Sequence, residues 1–255
     1  MITSRLIFKD FGICRGSSFR IGLGSLSLST GAIYGLIGPN GSGKSTFLEA
    51  VYGEIDYSGE MSWAGPAGSC ERKNSLAYVR QDYPLLDIYS VEESVLLSHA
   101  FARKPGELRS LFDICPNFTN IGNHAKFRAE KFIDILGLSQ FKTKMPDELS
   151  GGQKQRLAIA LALTSIDKSV ILLDEPTSAL GAKETELLQD AIKYRQSETD
   201  SPMFLIASHD RPFLAGITQR LISFEFPSEN EECAQPQTVI VNLLPTTKSL
   251  LSKET

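Results

Sequence analysis

The eight residues Gly38-Pro39-Asn40-Gly41-Ser42-Gly43-Lys44-Ser45 constrain this chain more than any other stretch, because they match GxxxxGK[ST] and separate two different kinds of element. Ahead of them Ala32–Ile37 is a continuous apolar run, the pattern of a strand buried on both faces of a mixed or parallel sheet. Behind them Ser45–Tyr52 carries Phe47, Leu48 and Val51 at helical spacing. In that setting glycines let consecutive backbone N–H groups curl around phosphates, and the helix N-terminus adds its partial positive charge. The loop therefore predicts a nucleoside triphosphate site. Gly38, Pro39, Asn40, Gly41, Ser42 and Gly43 form the cradle, Lys44 meets the β- and γ-phosphates, Ser45 ligates Mg²⁺, and Thr46 ends the binding segment.

The rest of the chain predicts an α/β fold around that loop. Arg5–Phe11 and Phe19–Leu28 alternate apolar and smaller residues between Gly/Ser breaks, as strands do. Val170–Leu173 and Met203–Ala207 are further wholly apolar strands, and Gln153–Thr164 and Lys183–Arg195 read as helices between them. Buried strands alternating with helices argue for a largely parallel sheet. The character changes over about residues 82–148, where Val91–Phe101 and Phe127–Leu136 have helical spacing and Cys115–Asn123 interrupts them, so this part reads as a helical insertion. Residues 227–237 form a polar loop ahead of a short strand-like Val239-Ile240-Val241.

Composition sets the outer limits. With 26 Lys and Arg against 30 Asp and Glu the net charge is −4, which lacks the broad basic field of a dedicated nucleic-acid binder, and no nucleic-acid partner is expected. The longest strongly apolar runs fall far short of the ~20 residues a membrane-spanning helix needs. No secretory signal is visible, and Cys14, Cys70, Cys115 and Cys233 form no CxxC pair, which fits free thiols in a reducing compartment. His99 and His124 lie in the insertion without a ligand pattern and read as solvated.

Alone, the first loop leaves kinases, GTPases, helicases and transport ATPases open. A second motif, Leu149-Ser150-Gly151-Gly152-Gln153, opens the helix at Leu157 with a Ser hydroxyl and glycine backbone donors, again an anion-binding arrangement. The plainer alternative is a helix capped by Ser150. Here the chain resembles the ATP-binding cassette (ABC) family over nearly all its length. The Leu-Ser-Gly-Gly-Gln stretch resembles the ABC signature, and Val170-Ile171-Leu172-Leu173-Asp174-Glu175-Pro176 resembles the Walker B strand with its catalytic glutamate. Gln81 matches the Q-loop glutamine, His209 the switch histidine, and Phe11 the aromatic that stacks on adenine.

The resemblance implies a P-loop NTPase with a mixed or parallel core sheet, an N-terminal antiparallel β subdomain and an inserted α-helical subdomain at about 82–149. One domain would occupy residues 1–226, with a short extension at 227–255. It implies ATP and Mg²⁺ as ligands, with Asp174, Ser45 and Gln81 on the metal side. Glu175 would be general base, with Lys44 and His209 offsetting phosphoryl charge. It further implies a head-to-tail dimer in which Ser150, Gly151, Gly152 and Gln153 of one copy close over ATP held by the other. Spanning permease subunits on separate chains would receive the work, a substrate-binding protein would deliver cargo, and the chain would sit on the cytoplasmic face of the membrane. Tyr83–Asp87 is the expected edge of the groove for the membrane partner.

Two departures from the family pattern stand out. Gly181, in Ser178-Ala179-Leu180-Gly181, replaces the usual Asp, and Ala160-Leu161-Ala162 replaces Ala-Arg-Ala. Neither touches the phosphate or metal residues, so hydrolysis is still expected. The competing expectations are a soluble ABC protein of translation or DNA repair, and a low-turnover regulatory module. The first is usually marked by tandem cassettes, long coiled coils or basic stretches, which this chain does not carry.

Overall fold

The apolar strands find their place at the centre of one sheet. The computed structural model describes residues 5–15, 19–64, 75–80, 85, 87–101, 123–165, 168–226 and 237–245. Within them β1 (Arg5–Arg15), β2 (Phe19–Ser29), β3 (Ile33–Ile37), α1 (Lys44–Tyr52), β4 (Ser58–Ala64) and β5 (Leu76–Val79) form the N-terminal part. The helices α2 (Val91–Phe101) and α3 (Asn123–Ile135) follow, then α4 (Gly151–Thr164), β6 (Val170–Asp174), α5 (Ala182–Ser197), β7 (Met203–Ala207), α6 (Arg211–Ile217), β8 (Arg220–Glu225) and β9 (Gln237–Pro245). The nine strands run in the order β4-β1-β2-β9-β8-β3-β7-β6-β5, with β8-β3-β7-β6-β5 all parallel.

Period-two alternation divides this sheet between two cores. Ile171, Leu173, Phe204 and Ile206 face the side covered by α2 to α6, whereas Val170, Leu172, Met203 and Leu205 face α1 and the N-terminal strands. That is why Val170–Leu173 of β6 and all of β7 are apolar: neither face meets water. The α/β expectation, with an antiparallel β1-β2-β4 part and helices α2 and α3 in the insertion, matches the observed arrangement.

Two features were not legible as strands and helices alone. Residues 237–245, placed by the sequence reading in an extension, form a strand pairing antiparallel with β8 and parallel with β2. This segment thereby joins the antiparallel part to the parallel one. In β1 the inward residues are Leu6 and Phe8, then Phe11 and Ile13, so parity changes at Asp10. Asp10 has φ 47°, and the β1–β4 register shifts between Lys9 and Gly12, the mark of a bulge. On β2 the same change falls at the exposed Gly24 and Ser25, between inward Leu23 and Leu26.

The insertion is fastened to the ends of α4 and α5 by charge as well as apolar contact. Arg128 of α3 donates from Nε to Thr164 O at 2.9 Å, satisfying a carbonyl at the end of α4, and from Nη1 to Glu198 Oε1 at 2.7 Å. Arg195, at the end of α5, shares Glu198 through Oε2 at 3.0 Å and also pairs with Asp200. Gln81, Tyr83, Pro84 and Leu86 of the expected groove edge, residues 115–122 of the interrupting stretch, and 227–236 lie outside the described residues.

Candidate nucleotide site

The end of β3 turns into α1 through the glycine-rich loop, and the turn depends on close backbone approach. A Cβ on Gly38 would stand 2.5 Å from Phe224 O of β8, so only glycine lets the loop pass there. Gly43, at φ 89°, is the N-cap of α1 and gives it no side-chain cap, leaving the first N–H groups of the helix without a capping side chain. Ser42 is 0% exposed and its Oγ has no hydrogen-bond partner among the described residues. An uncapped helix start beside an orphaned buried hydroxyl is a polar lining that fits an anionic ligand.

Lys44 folds back over the loop, its Nζ donating to Gly38 O at 2.9 Å and Pro39 O at 3.0 Å. Burial holds its ammonium below the ordinary lysine range, opposed by the charges of Glu175 and Asp174. Asp174, at the end of β6, accepts from Ser45 Oγ at 3.0 Å on Oδ1 and from Tyr78 Oη at 3.3 Å on Oδ2. Burial raises its pKa, and these two hydrogen bonds and Lys44 oppose the rise. Hard oxygens from Ser45 and Asp174, side by side, are the donor chemistry that suits Mg²⁺.

Glu175 leaves the strand at φ 47°, an uncommon conformation for a side chain of its length, while its N–H stays bonded to Ala207 O at 2.8 Å. One carboxylate oxygen lies 3.4 Å from His209 Nε2 and the other accepts the His209 backbone N–H at 3.3 Å. Burial raises the Glu175 pKa, against the lowering influence of His209.

The second motif sits at the exposed start of α4. Ser150 Oγ accepts from Gln153 N and the Gln153 side chain accepts from Ser150 N, a reciprocal capping box. A Cβ on Gly152 would lie 2.6 Å from Ala179 O, so this glycine lets the helix start pack on the segment after β6. One turn on, Gln155 donates to Glu175 O at 3.4 Å. Gly181 is the N-cap of α5 and supplies no side chain to hold it.

The structure thus sets two contacting pairs, Ser45–Asp174 and Glu175–His209, at the end of β6, with Lys44 close enough to feel the charge of both carboxylates, beside the cradle residues Gly38 to Gly43 and Thr46. Among the described residues no hydrogen bond joins Ser150, Gly151, Gly152 or Gln153 to the phosphate loop. Gln81 lies outside the described residues.

Phe11 is a correction. It is 1% exposed, its ring stacked on Tyr57 at 4.9 Å and set edge-on to Phe8 and Phe47, so it belongs to the core rather than to a surface that a base could reach. The cause is the bulge at Asp10, which turns Phe11 inward, together with the continuation of β1 to Arg15. Phe11→Leu is therefore expected to lower unfolding free energy by about 1–2 kcal/mol in urea titrations, while leaving nucleotide affinity unchanged.

Tyr78 is the site residue that sequence reasoning passed over. The signal available was a hydroxyl-bearing residue in the otherwise apolar strand Leu76–Val79, which must find a buried partner. Burial, with Asp174 next in weight, pushes its phenol far above the usual range, so it stays a donor.

The chain is similar to known proteins in sequence and in fold. A family model described as ABC transporter matches residues 24–178. The chain is 32% identical over 190 residues to the ATP-binding protein PhnT of Salmonella paratyphi A, covering 73% of this chain and 47% of PhnT. It thus spans about half the length of that relative. It is 31% identical over 209 residues to the lipoprotein-releasing system ATP-binding protein LolD of Maricaulis maris, covering 78% of this chain and 83% of LolD. Among solved structures, MJ1267, an ATP-binding cassette of an ABC transporter, superposes with a TM-score of 0.68 at 21% identity, covering 98% of this chain and 94% of that one. At that identity the likeness concerns the fold.

Proposed function

The chain belongs to the ABC transporter family, and from that premise we propose that it binds and hydrolyses ATP to drive transport through spanning subunits on separate chains. The observation that carries this reading is the convergence of the pairs Ser45–Asp174 and Glu175–His209 with Lys44, whose charge both carboxylates act on, at a glycine-rich loop between a buried strand and a helix. Lys44 leaves the loop carbonyls for the phosphates, a move favoured because its ammonium is buried and held only by neutral acceptors and more distant carboxylates. Glu175 takes the proton of the attacking water; its raised pKa makes it a better acceptor than a solvated carboxylate. His209 holds Glu175 from both its ring and its backbone. When bound by Ser45 and Asp174, Mg²⁺ supplies positive charge against the phosphoryl oxygens.

The exposed start of α4 suits a partner. A second copy, head to tail, would bring its Ser150, Gly151, Gly152 and Gln153 over this ATP, so that hydrolysis waits on dimerisation. Among the described residues no helix is long and apolar enough to cross a membrane, which fits a division of labour with permease subunits at the cytoplasmic face. PhnT is named for import and LolD for lipoprotein release. Such relatives fit a motor whose cargo is chosen by its permease and, in import, by a substrate-binding protein.

The test is ATP turnover by the purified chain, alone and with whatever spanning subunit co-purifies from membranes. Phosphate release that is lost on chelating Mg²⁺ with EDTA and returns on adding the metal is the expected result. A chain that turns over no ATP even beside its membrane partner overturns the reading.

A further inference from the structure

We propose that Tyr78 is a positioning residue for the metal carboxylate, its phenol holding one oxygen of Asp174 so that the other is presented beside Ser45. The inference rests on the nucleotide and metal reading of this site. The two oxygens of Asp174 are addressed from different elements: Oδ1 from Ser45 at the start of α1, Oδ2 from Tyr78 on β5. A carboxylate held from both sides cannot turn freely about its last torsion, and that restriction is what a ligand for a geometrically demanding cation needs.

The phenol is itself clamped. The parallel register sets Tyr78 opposite Leu172, and its ring meets Tyr52 of α1 at 5.5 Å. The Arg80 guanidinium lies 5.1 Å from the same ring and is ion-paired with Glu54, just beyond the end of α1. The helix that carries Ser45 is thereby held at its far end by Tyr78 and Arg80, and at its start through Asp174 of β6. Core packing does not require the hydroxyl, since the ring lies among Leu76, Val170 and Leu172, where phenylalanine would fill the same space. Tyr78 is only 8% exposed, so its hydroxyl would be a cost without a partner, and its partner is Asp174.

The experiment compares the full chain as wild type, Tyr78→Phe and Asp174→Asn, with Mn²⁺ as a paramagnetic probe and ADP as the nucleotide. Free Mn²⁺ is read by electron paramagnetic resonance. Tyr78→Phe is expected to bind Mn²⁺ about tenfold more weakly, with metal-free ADP affinity and the circular dichroism spectrum unchanged. Tyr78→4-aminophenylalanine, which restores a donor, recovers the affinity. Wild-type Mn²⁺ affinity in Tyr78→Phe, where Asp174→Asn loses it, overturns the proposal and leaves the site reading standing. Unchanged affinity in Asp174→Asn as well overturns both.

Discussion

Glu175→Gln is expected to lower ATP turnover by about 10²–10⁴-fold, the range that a positioned general base contributes, while ATP still binds. The amide keeps the size of the side chain and an acceptor for the His209 N–H, but it cannot take a proton from water. Since the proposed dimer closes over bound ATP, a variant that binds ATP without hydrolysing it keeps that ATP in place, and ATP-bound dimers should accumulate. Phosphate release and size-exclusion chromatography in ATP check the two halves. Normal turnover would mean that another group is the base.

The same substitution should stabilise the nucleotide-free protein at neutral pH. The folded-state pKa of Glu175 lies above its unfolded value, because burial penalises the ionised form. A raised carboxylate pKa means that the folded chain holds the proton more tightly, so this residue subtracts stability as pH rises from the unfolded value toward the folded one. The gain on replacing it with Gln is therefore full above the folded pKa and vanishes below about pH 4, near the unfolded carboxylate value. Thermal melts of both proteins across that window test the sign.

The second large effect falls far from the site. Glu198→Ala is expected to cost about 3–5 kcal/mol of stability. It removes the carboxylate that Arg128 and Arg195 share and leaves Asp200, among the described residues, as the remaining ion-pair partner of Arg195. Arg195 is 0% exposed, its Nε has no hydrogen-bond partner among the described residues, and burial and the Arg128 charge already hold its pKa down. Glu198, at 18% side-chain exposure, is the carboxylate both arginines share. Arg195→Met should cost less, because Glu198 keeps Arg128 and Asp200 is open to water. Urea denaturation of the two variants measures the difference, and equal costs would mean that the pairing is not what stabilises this corner.

Much of the site was readable because its chemistry is local. A loop that wraps phosphate with its own backbone needs its glycines and lysine at fixed spacing between a strand and a helix, and Gly38 to Ser45 carry that spacing in eight consecutive letters. Asp174 and Glu175 were equally legible, since carboxylates ending a buried strand need a polar task. Phe11 was misplaced because an aromatic residue near the start of a chain has no local sign of which way it faces. One extra residue at Asp10 reversed that, and bulges leave little trace in an apolar pattern.

The sequence by itself determined the α/β fold, the phosphate loop and the order of the acidic and histidine groups, because each depends on neighbours within a turn or a strand. Tertiary structure alone decided which groups meet across the chain. Tyr78 reaches Asp174 over a separation of 96 residues, and Arg128 shares Glu198 with Arg195 over one of 70. It also set β9 between β2 and β8, a position that the short run Val239-Ile240-Val241 could not announce. Burial is the physical reason in each case. A hydroxyl, a guanidinium or a strand edge removed from water must be satisfied by whatever the fold brings beside it, and that partner is chosen by packing rather than by sequence distance.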